Sequence, residues 1–467
     1  MAYRISPRPP WHGFSTGVAL AISLAVGVVP AAAQPAPADP YPAEPAAAEP
    51  PAATLPSRAR VDVEAVQGLL AVQHLDGWLL TDDSGQNPIA QELINPDGSP
   101  ARRWFYLIPA KGQPIALVHN LELGSFDAVP GRKLDYAGYR DLAKGLRALL
   151  KGVKTVAMEY SAKGAVSELS RVDAGTIELV KSQGVTIRSS AELVQFTKSL
   201  WGPDGRRNEY VAAHHLTELR NDALAWITEQ LTAGATISEY DVAQRISRGY
   251  AVRGLVGPAP LVATGKNTAD PQYVPTAKRS TAIARDDLVV ISLAGKLDDE
   301  AAGGKRSVYA ATTWVAYAGS KVPDRVLTAF DLAGYGRDEA LNLIRDRLRR
   351  RRAVKGFEVD QTARGAIGKA GFAENFHHRT GHSIDTDVNG AGANLDDYES
   401  HDVRNLVLGS GFTVAPGLYF KGDFGVRVEV TAYVGILGLE VTTALQDQIE
   451  LLFPPATSPA PAAPIAP

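Results

Sequence analysis

The sequence predicts a mixed α+β / α/β protein with two folded segments, and three observations carry that prediction. Between residues 60 and about 198, short apolar runs alternate with helical patterns. A long amphipathic helix opens a second segment near Arg207, and strand-like runs dominate from about Leu408 to Leu437. The chain has 467 residues, 45% hydrophobic and 21% charged, enough for a large core divided among two or three domains. Its formal net charge of −3 leaves no basic excess to neutralise phosphates, which argues against nucleic acid as a partner. There is no cysteine, hence no disulfide, no thiol nucleophile and no cysteine for a lipid anchor.

Residues 1–33 read as a signal peptide. Arg4 and Arg8 supply positive charge, Val18 to Val29 is mostly apolar, and Ala31-Ala32-Ala33 forms a small-residue cleavage site before Gln34. The apolar run falls short of the roughly 20 residues a membrane span requires. No other stretch is long and apolar enough. The expectation is a secreted, periplasmic protein with no integral membrane segment after cleavage. Residues 34–59 form an Ala/Pro-rich linker, and residues 454–467 a disordered Pro/Ala tail. Such compositions bury too little apolar surface to offset the entropy of ordering.

In the segment 60–200, Gly77-Trp78-Leu79-Leu80, Trp104 to Ile108 and Val156-Ala157-Met158 read as buried strands, being short, apolar and bounded by turn residues. Asp141 to Leu150 and Thr176 to Ser182 read as helices, so this domain alternates strand and helix. The turn chemistry of Trp201-Gly202-Pro203-Asp204-Gly205 marks the boundary to a domain spanning 201–453. That domain opens with a helix over about Arg207 to Ala233, whose Leu216, Leu219, Ala223, Trp226 and Ile227 define one stripe. Thr236-Ile237-Ser238-Glu239 reads as a capping box starting the next helix. A third helix, about Arg337 to Arg352, ends in an arginine-rich turn that complements its dipole.

Six strings in the second domain occur in one order. They are Gly265 to Pro275 (containing Asp270-Pro271-Gln272-Tyr273), Leu288-Val289-Val290-Ile291-Ser292, and Val308 to Trp314. Then come Phe376 to His382, Phe412 to Tyr419, and Gly425-Val426-Arg427-Val428-Glu429-Val430. Together they resemble the pita-bread metallopeptidases, the family of Xaa-Pro aminopeptidases, prolidases, methionine aminopeptidases and creatinase. Residues 60–200 resemble the smaller α/β creatinase-type domain that precedes the catalytic one in prolidases. The resemblance implies a pita-bread C-terminal domain, a scaffold for Xaa-Pro peptide hydrolysis, and five metal-ligand positions. Those positions read Ser292, Ala311, His382, Ala415 and Glu429; a shift of one residue would choose Ala310 for the second. Only the histidine and the last glutamate keep the family's residue type. A serine hydroxyl is a poor neutral ligand and alanine offers none, so the expectation is no metal cofactor, or at most one weakly bound divalent ion at His382 and Glu429. The metal-free acid/base histidine of creatinase corresponds to Gln272, and a second substrate-side histidine to Asn389. Neither amide exchanges a proton near neutral pH.

What the resemblance leaves is the cluster His378, His382, Arg427 and Glu429. It reads either as a binding site for a peptide or carboxylate, or as a structural relic in which Glu429 is ion-paired. Asp385 and Asp387, and separately Asp298-Asp299-Glu300, are acidic groups that either build a new cation site or decorate loops. His214, His215 and His401 lack ligand partners at useful spacing. No Gly-x-Ser-x-Gly elbow within the folded region, no His-Glu-x-x-His and no Walker spacing around Gly303-Gly304-Lys305-Arg306 offers other chemistry. The expected function is that of an exported, Xaa-Pro-peptidase-like pseudoenzyme that binds a proline-containing peptide, a small ligand or a partner subunit. The expected partnership is a homodimer, or a heterodimer with an active paralogue. The alternative is an active Xaa-Pro aminopeptidase or dipeptidase using a reduced metal site.

Overall fold

A computed structural model describes residues 61–455. The signal peptide at 1–33, the linker at 34–59 and all but the first two residues of the 454–467 tail lie outside the described residues.

The first half builds one six-stranded sheet. Its spatial order is Arg132–Tyr136, Ile115–His119, Trp104–Pro109, Gly77–Asp82, Thr155–Met158 and Thr186–Ser189. The Gly77–Asp82 strand runs antiparallel to Trp104–Pro109 and parallel to Thr155–Met158. The apolar runs are continuous because both faces are covered. Trp78, Leu80, Trp104, Tyr106 and Ile108 pack into one core, while Leu79, Phe105 and Leu107 point to the opposite one. The three strands and two helices expected here are present, the helices as Tyr139–Leu149 and Ala174–Lys181.

The second half begins earlier than its turn chemistry implied. Gly202 to Gly205 form the first turn of a helix, Gly202–Thr232, in which Pro203 loses nothing because first-turn amides have no intrahelical acceptor. Trp201, just before it, is fully buried and its indole donates to the Ile384 carbonyl at 2.8 Å. Gly411 is glycine for that reason: a Cβ there would stand 1.9 Å from the Trp201 ring. Leu216, Leu219, Ala223 and Ile227 are buried as the stripe required, and Trp226 packs at its edge. The capping box sits two residues later than expected. Ser238 caps the helix Glu239–Val252 with Asp241 as its reciprocal partner, since Ile237–Ser238 is held extended by pairing with Ala282–Ile283.

The arginine-ended helix starts at Asp324 rather than Arg337 and runs to Arg349. Val326, Ala329, Phe330 and Ala333 bury its earlier turns, and Gly336 lets Ile367 of the helix Gly356–Lys369 approach. In the arginine-rich end, Arg349 and Arg350 pair with Asp346 and Arg347 pairs with Glu358, a solvated helix end as expected.

Two larger sheets make up this half. One contains Leu288–Leu297 between Ala310–Tyr317 and Leu261–Thr264; the other runs Ser383–Ile384, Gly411–Val414, Val430–Gly435 and Gly438–Val441. A hairpin, Gly417–Phe420 with Phe424–Arg427, closes one side, and a single bridge between Thr313 and Glu429 joins the two sheets. Among the described residues, no helix is long and apolar enough to cross a membrane.

One buried group away from this junction sets a pH dependence. Glu209, on the helix Gly202–Thr232, is fully buried; Thr442 Oγ1 donates to its Oε1 at 2.6 Å, and Oε2 has no partner. Burial pushes its carboxyl from the ordinary 4.5 up to about 8. Between those values the folded chain holds a proton that the unfolded chain has released, so this group's contribution to stability falls as pH rises from 4.5 to about 8. Glu209→Gln, which keeps the Thr442 contact and cannot ionise, should melt higher than the natural protein at pH 8 and no higher at pH 5. Thermal melts across that range check it. Parallel pH profiles for the two proteins would remove Glu209 as the cause.

Candidate functional site

The two-residue alternation of strands decides which side chains meet where the sheets join. Along Leu288–Leu297, Val289, Ile291 and Leu293 pack against the helix Gly202–Thr232, while Leu288 and Val290 face the opposite core. Ser292 continues that second face. The register pairs Ser292 with Thr313 and Ala294 with Ala311, so Ser292, Ala311 and Thr313 share one surface. Ala311 is buried beside Trp201, Val308 and Ile384, and its backbone N–H and carbonyl both bond the Thr431 hydroxyl, at 2.8 and 2.9 Å.

Arg427, at the end of its hairpin strand, reaches this surface from the other side. It donates from Nη2 to Ser292 Oγ at 2.5 Å and from Nε to Thr313 Oγ1 at 3.1 Å. Thr313 Oγ1 lies 2.5 Å from Glu429 Oε2 and 2.9 Å from Ser292 Oγ. Arg427 Nη2 and Glu429 Oε2 are 3.8 Å apart, an ion pair spaced by two hydroxyls. Burial works against the Arg427 charge, but Glu429 and Tyr419 outweigh it and hold the guanidinium above its usual pKa. The cluster is therefore a closed network of one cation, one carboxylate and two hydroxyls.

The histidines stand beside it on the segment 376–382. Gly381 permits their approach, since a Cβ there would meet the Thr413 carbonyl oxygen at 1.9 Å. His382 Nδ1 bonds the Ser383 carbonyl at 3.0 Å, which fixes the proton on that nitrogen and leaves Nε2 an acceptor. Burial lowers the His382 pKa, with Glu429 opposing. His378 Nδ1 bonds the Arg379 carbonyl at 2.7 Å, and its Nε2 lies 2.9 Å from the Tyr419 hydroxyl. Burial raises Tyr419 to about 12, so that hydroxyl stays protonated and donates. Ala415 is buried, its N–H bonded to the Thr380 carbonyl at 2.7 Å.

His378 carries a second pH effect. Burial first, then the Arg427 charge, lowers its pKa from 6.5 to about 4. The unfolded chain takes up a proton below pH 6.5 that the folded chain refuses until about 4, so stability is lost on acidification through that window. His378→Gln should flatten this part of the profile, read as urea midpoints at pH 7 and pH 4.5. An imidazole resonance of His378 titrating near 6.5 in the folded protein would contradict it.

Sequence reasoning missed four residues that shape this site. Thr313 and Tyr419 lie inside recognised strings but away from ligand positions; the period of two could have found Thr313, two residues from Ala311 and on its face. Asp360 and Arg364, one turn apart on Gly356–Lys369, hold the histidine segment from behind. The fully buried Asp360 accepts from Thr380 N at 2.8 Å and Oγ1 at 2.6 Å, and Arg364 donates to the carbonyls of Phe376 and His378.

Other candidates stand apart. Gln272 is exposed, with only its backbone N–H bonded, to Asp270. Asn389 is exposed too and lines a separate cleft of about 340 Å³ with Glu92, Glu168, Arg379 and Arg404. Asp385 braces its own loop by accepting the amides of Asp387 and Ala391, and Asp298 accepts from Ala301 N. His214 and His215 pair with Glu218, and His401 with Asp397.

A pair of divalent ions does not fit these residues. Ser292 and Thr313 offer neutral hydroxyls, Ala311 and Ala415 offer nothing, and a guanidinium already donates among them. Among the described residues, no group of three or more His, Asp or Glu side chains is arranged to hold a metal ion.

Comparison with known proteins agrees on the scaffold. The family model described as Metallopeptidase family M24 matches residues 212–435. An Xaa-Pro dipeptidase of Lactobacillus helveticus is 28% identical over 195 residues, 41% of this chain and 46% of the relative, so less than half of that relative's length is spanned. A probable dipeptidase PepE of Mycobacterium bovis is 25% identical over 333 residues, 69% of this chain and 78% of the relative. Among solved structures, dipeptidase PepE from Mycobacterium ulcerans superposes with a TM-score of 0.60 at 19% identity, covering 85% of this chain and all (100%) of that one. Prolidase from Thermococcus sibiricus gives 0.55 at 20% identity, covering 83% and 98%. At such identities the likeness establishes the fold: a pita-bread C-terminal domain behind a smaller α/β domain.

Proposed function

The C-terminal domain of this chain belongs to metallopeptidase family M24, and from that membership we propose that the protein is a metal-free member which binds rather than hydrolyses. The observation that supports this reading is Arg427, whose guanidinium donates to Ser292 and Thr313 and stands 3.8 Å from Glu429. Hydrolysis in a di-metal site depends on cations that lower the pKa of a bridging water. A guanidinium is permanently charged but has no vacant orbital with which to bind and acidify a water. His378 and the residue at the creatinase histidine position do not substitute for it. His378 has both ring nitrogens bonded, and Gln272 has no exchangeable proton near neutral pH.

The test is metal content and turnover of the full chain purified without added metal. We expect far less than one equivalent of bound divalent ion and no cleavage of Ala-Pro. Stoichiometric metal, with cleavage abolished by a chelator, would overturn the reading in favour of an active Xaa-Pro aminopeptidase or dipeptidase with a reduced metal site.

Two further parts of the proposal rest on the sequence. Export is supported by the segment 1–33, and N-terminal sequencing of the mature protein should begin at Gln34. Pairing with a second copy or with an active paralogue is the expected mode of action, and light scattering of the purified chain at micromolar concentration should give twice the monomer mass.

A further inference from the structure

The hairpin of Val430–Gly435 and Gly438–Val441 carries at its tip the two most exposed large aliphatic side chains among the described residues. Gly435 pairs with Gly438, so Ile436 and Leu437 are the two loop residues, and they are 85% and 93% exposed. Turns of that length are ordinarily built from Asn, Asp or Gly. Neither turn chemistry nor core packing therefore accounts for two aliphatics here. A lone exposed leucine is ordinary, whereas several in one place mark a contact surface. Leu408, 56% exposed, joins them, because the adjacent Gly409 N–H bonds the Val434 carbonyl at 2.8 Å.

Backbone hydrogen bonds tie this tip to the arginine-rich end of the helix Asp324–Arg349. Leu406 N–H bonds the Val354 carbonyl at 2.9 Å, and Lys355 bridges Asn405. Arg352 thus stands two residues from a segment that leads to Leu408 and, through Gly409, to the tip. The helix also packs against Gly438–Val441 and runs in the opposite direction. Arg337 donates to the Gln446 carbonyl, while Leu343 and Leu348, further along the helix, join the cluster of Leu439 and Val441. Residues 345–358 carry seven cations and two acids, in a chain whose net charge is −3. The two acids are already paired, Asp346 with Arg349 and Arg350, and Glu358 with Arg347. Arg345, Arg351 and Arg352 are exposed and have no carboxylate partner among the described residues.

Aliphatic groups beside unpaired guanidiniums select an occupant with an apolar interior and an anionic face. A nucleic acid offers the charge without the apolar layer. A second copy related by a two-fold axis would bring the two arginine runs toward each other. We infer that this surface docks the protein on an anionic phospholipid bilayer. Ile436, Leu437 and Leu408 enter the boundary of the acyl layer, and Arg345, Arg351 and Arg352 contact lipid phosphates. The attachment is peripheral, requires no spanning helix, and is independent of whether the M24 domain holds metal.

Co-sedimentation of the full chain with phospholipid vesicles tests it. Phosphatidylcholine vesicles containing about one-third phosphatidylglycerol should bind at least about tenfold more tightly than phosphatidylcholine alone, and added salt should weaken the binding. Ile436→Ser with Leu437→Ser, and separately Arg351→Gln with Arg352→Gln, should each weaken it at least about tenfold. All four positions are exposed, so the melts should not move, and residues 1–33 are common to every protein compared. Equal affinity for the two vesicles overturns the inference, as does natural affinity in either variant. Binding to a DNA duplex that needs the arginines but not the aliphatics overturns it in favour of a polyanion site. A dimer that dissociates on Ile436→Ser with Leu437→Ser, in a chain that ignores vesicles, overturns it in favour of contact between copies.

Discussion

Placing carboxylates at the three positions together, as Ser292→Asp, Ala311→Asp and Ala415→Glu, should give this chain a capacity for divalent metal that, on the metal-free reading proposed above, its natural sequence lacks. Two divalent ions ~3.5 Å apart repel by about 19 kcal/mol at an effective dielectric near 20. Only closely placed anions offset that. The natural positions supply a single carboxylate, Glu429, and a guanidinium stands against it. The strand register puts residues 292 and 311 on one face, so both new aspartates would project toward Glu429. Ala311 lies in an apolar cluster with Trp201 and Val308, so an aspartate there is a costly unpaired charge until metal arrives. The triple variant should therefore melt well below the natural protein without metal and recover in millimolar manganese, because a ligand that binds only the folded state stabilises it. The natural protein should melt at one temperature with manganese or with chelator. Elemental analysis after dialysis reads the same difference directly. A natural protein that retains two ions, or a triple variant that ignores manganese, contradicts the account.

The second large effect is expected at the Arg427–Glu429 pair. These side chains are 18% and 8% exposed, so removing one leaves the other as a largely desolvated, uncompensated charge. Arg427→Met should cost about 3 kcal/mol, the usual scale for breaking a buried ion pair by deleting one partner. Glu429→Gln should cost less, because glutamine still accepts from Thr313. The double variant should recover most of the Arg427→Met loss, since no charge is then stranded. Urea titration of the four proteins gives the coupling energy. Additive losses would mean that the guanidinium and the carboxylate do not stabilise one another.

Much of this protein could be read from its residues alone, because the relevant information is local. The continuous apolar runs at Gly77 to Leu80 and Trp104 to Ile108 required a sheet buried on both faces, and they form one. The stripe from Leu216 to Ile227 required a buried helix, and the order of six short strings pointed to the pita-bread scaffold. Local signals failed where a distant contact overrode them. Thr236 to Glu239 lost the capping box to Ser238 and Asp241 because Ile283, 46 residues away, holds Ile237 extended. The helix expected from about Arg337 begins at Asp324 because Val326 and Phe330 bury its earlier turns against the hairpin core.

By itself, then, the sequence determined which elements form and that Ser292, Ala311 and Ala415 carry no anionic ligand, since these follow from side-chain chemistry and periodicity over a few residues. Only the tertiary structure decided what meets at those positions. Arg427 meets Ser292 across 135 residues of chain, and Thr313 meets Glu429 across 116. No local pattern encodes either contact. Both exist because the sheet carrying Ser292 and Thr313 and the hairpin ending at Arg427 bring one cation, one carboxylate and two hydroxyls to the same buried place, where low polarity obliges the charges to find each other.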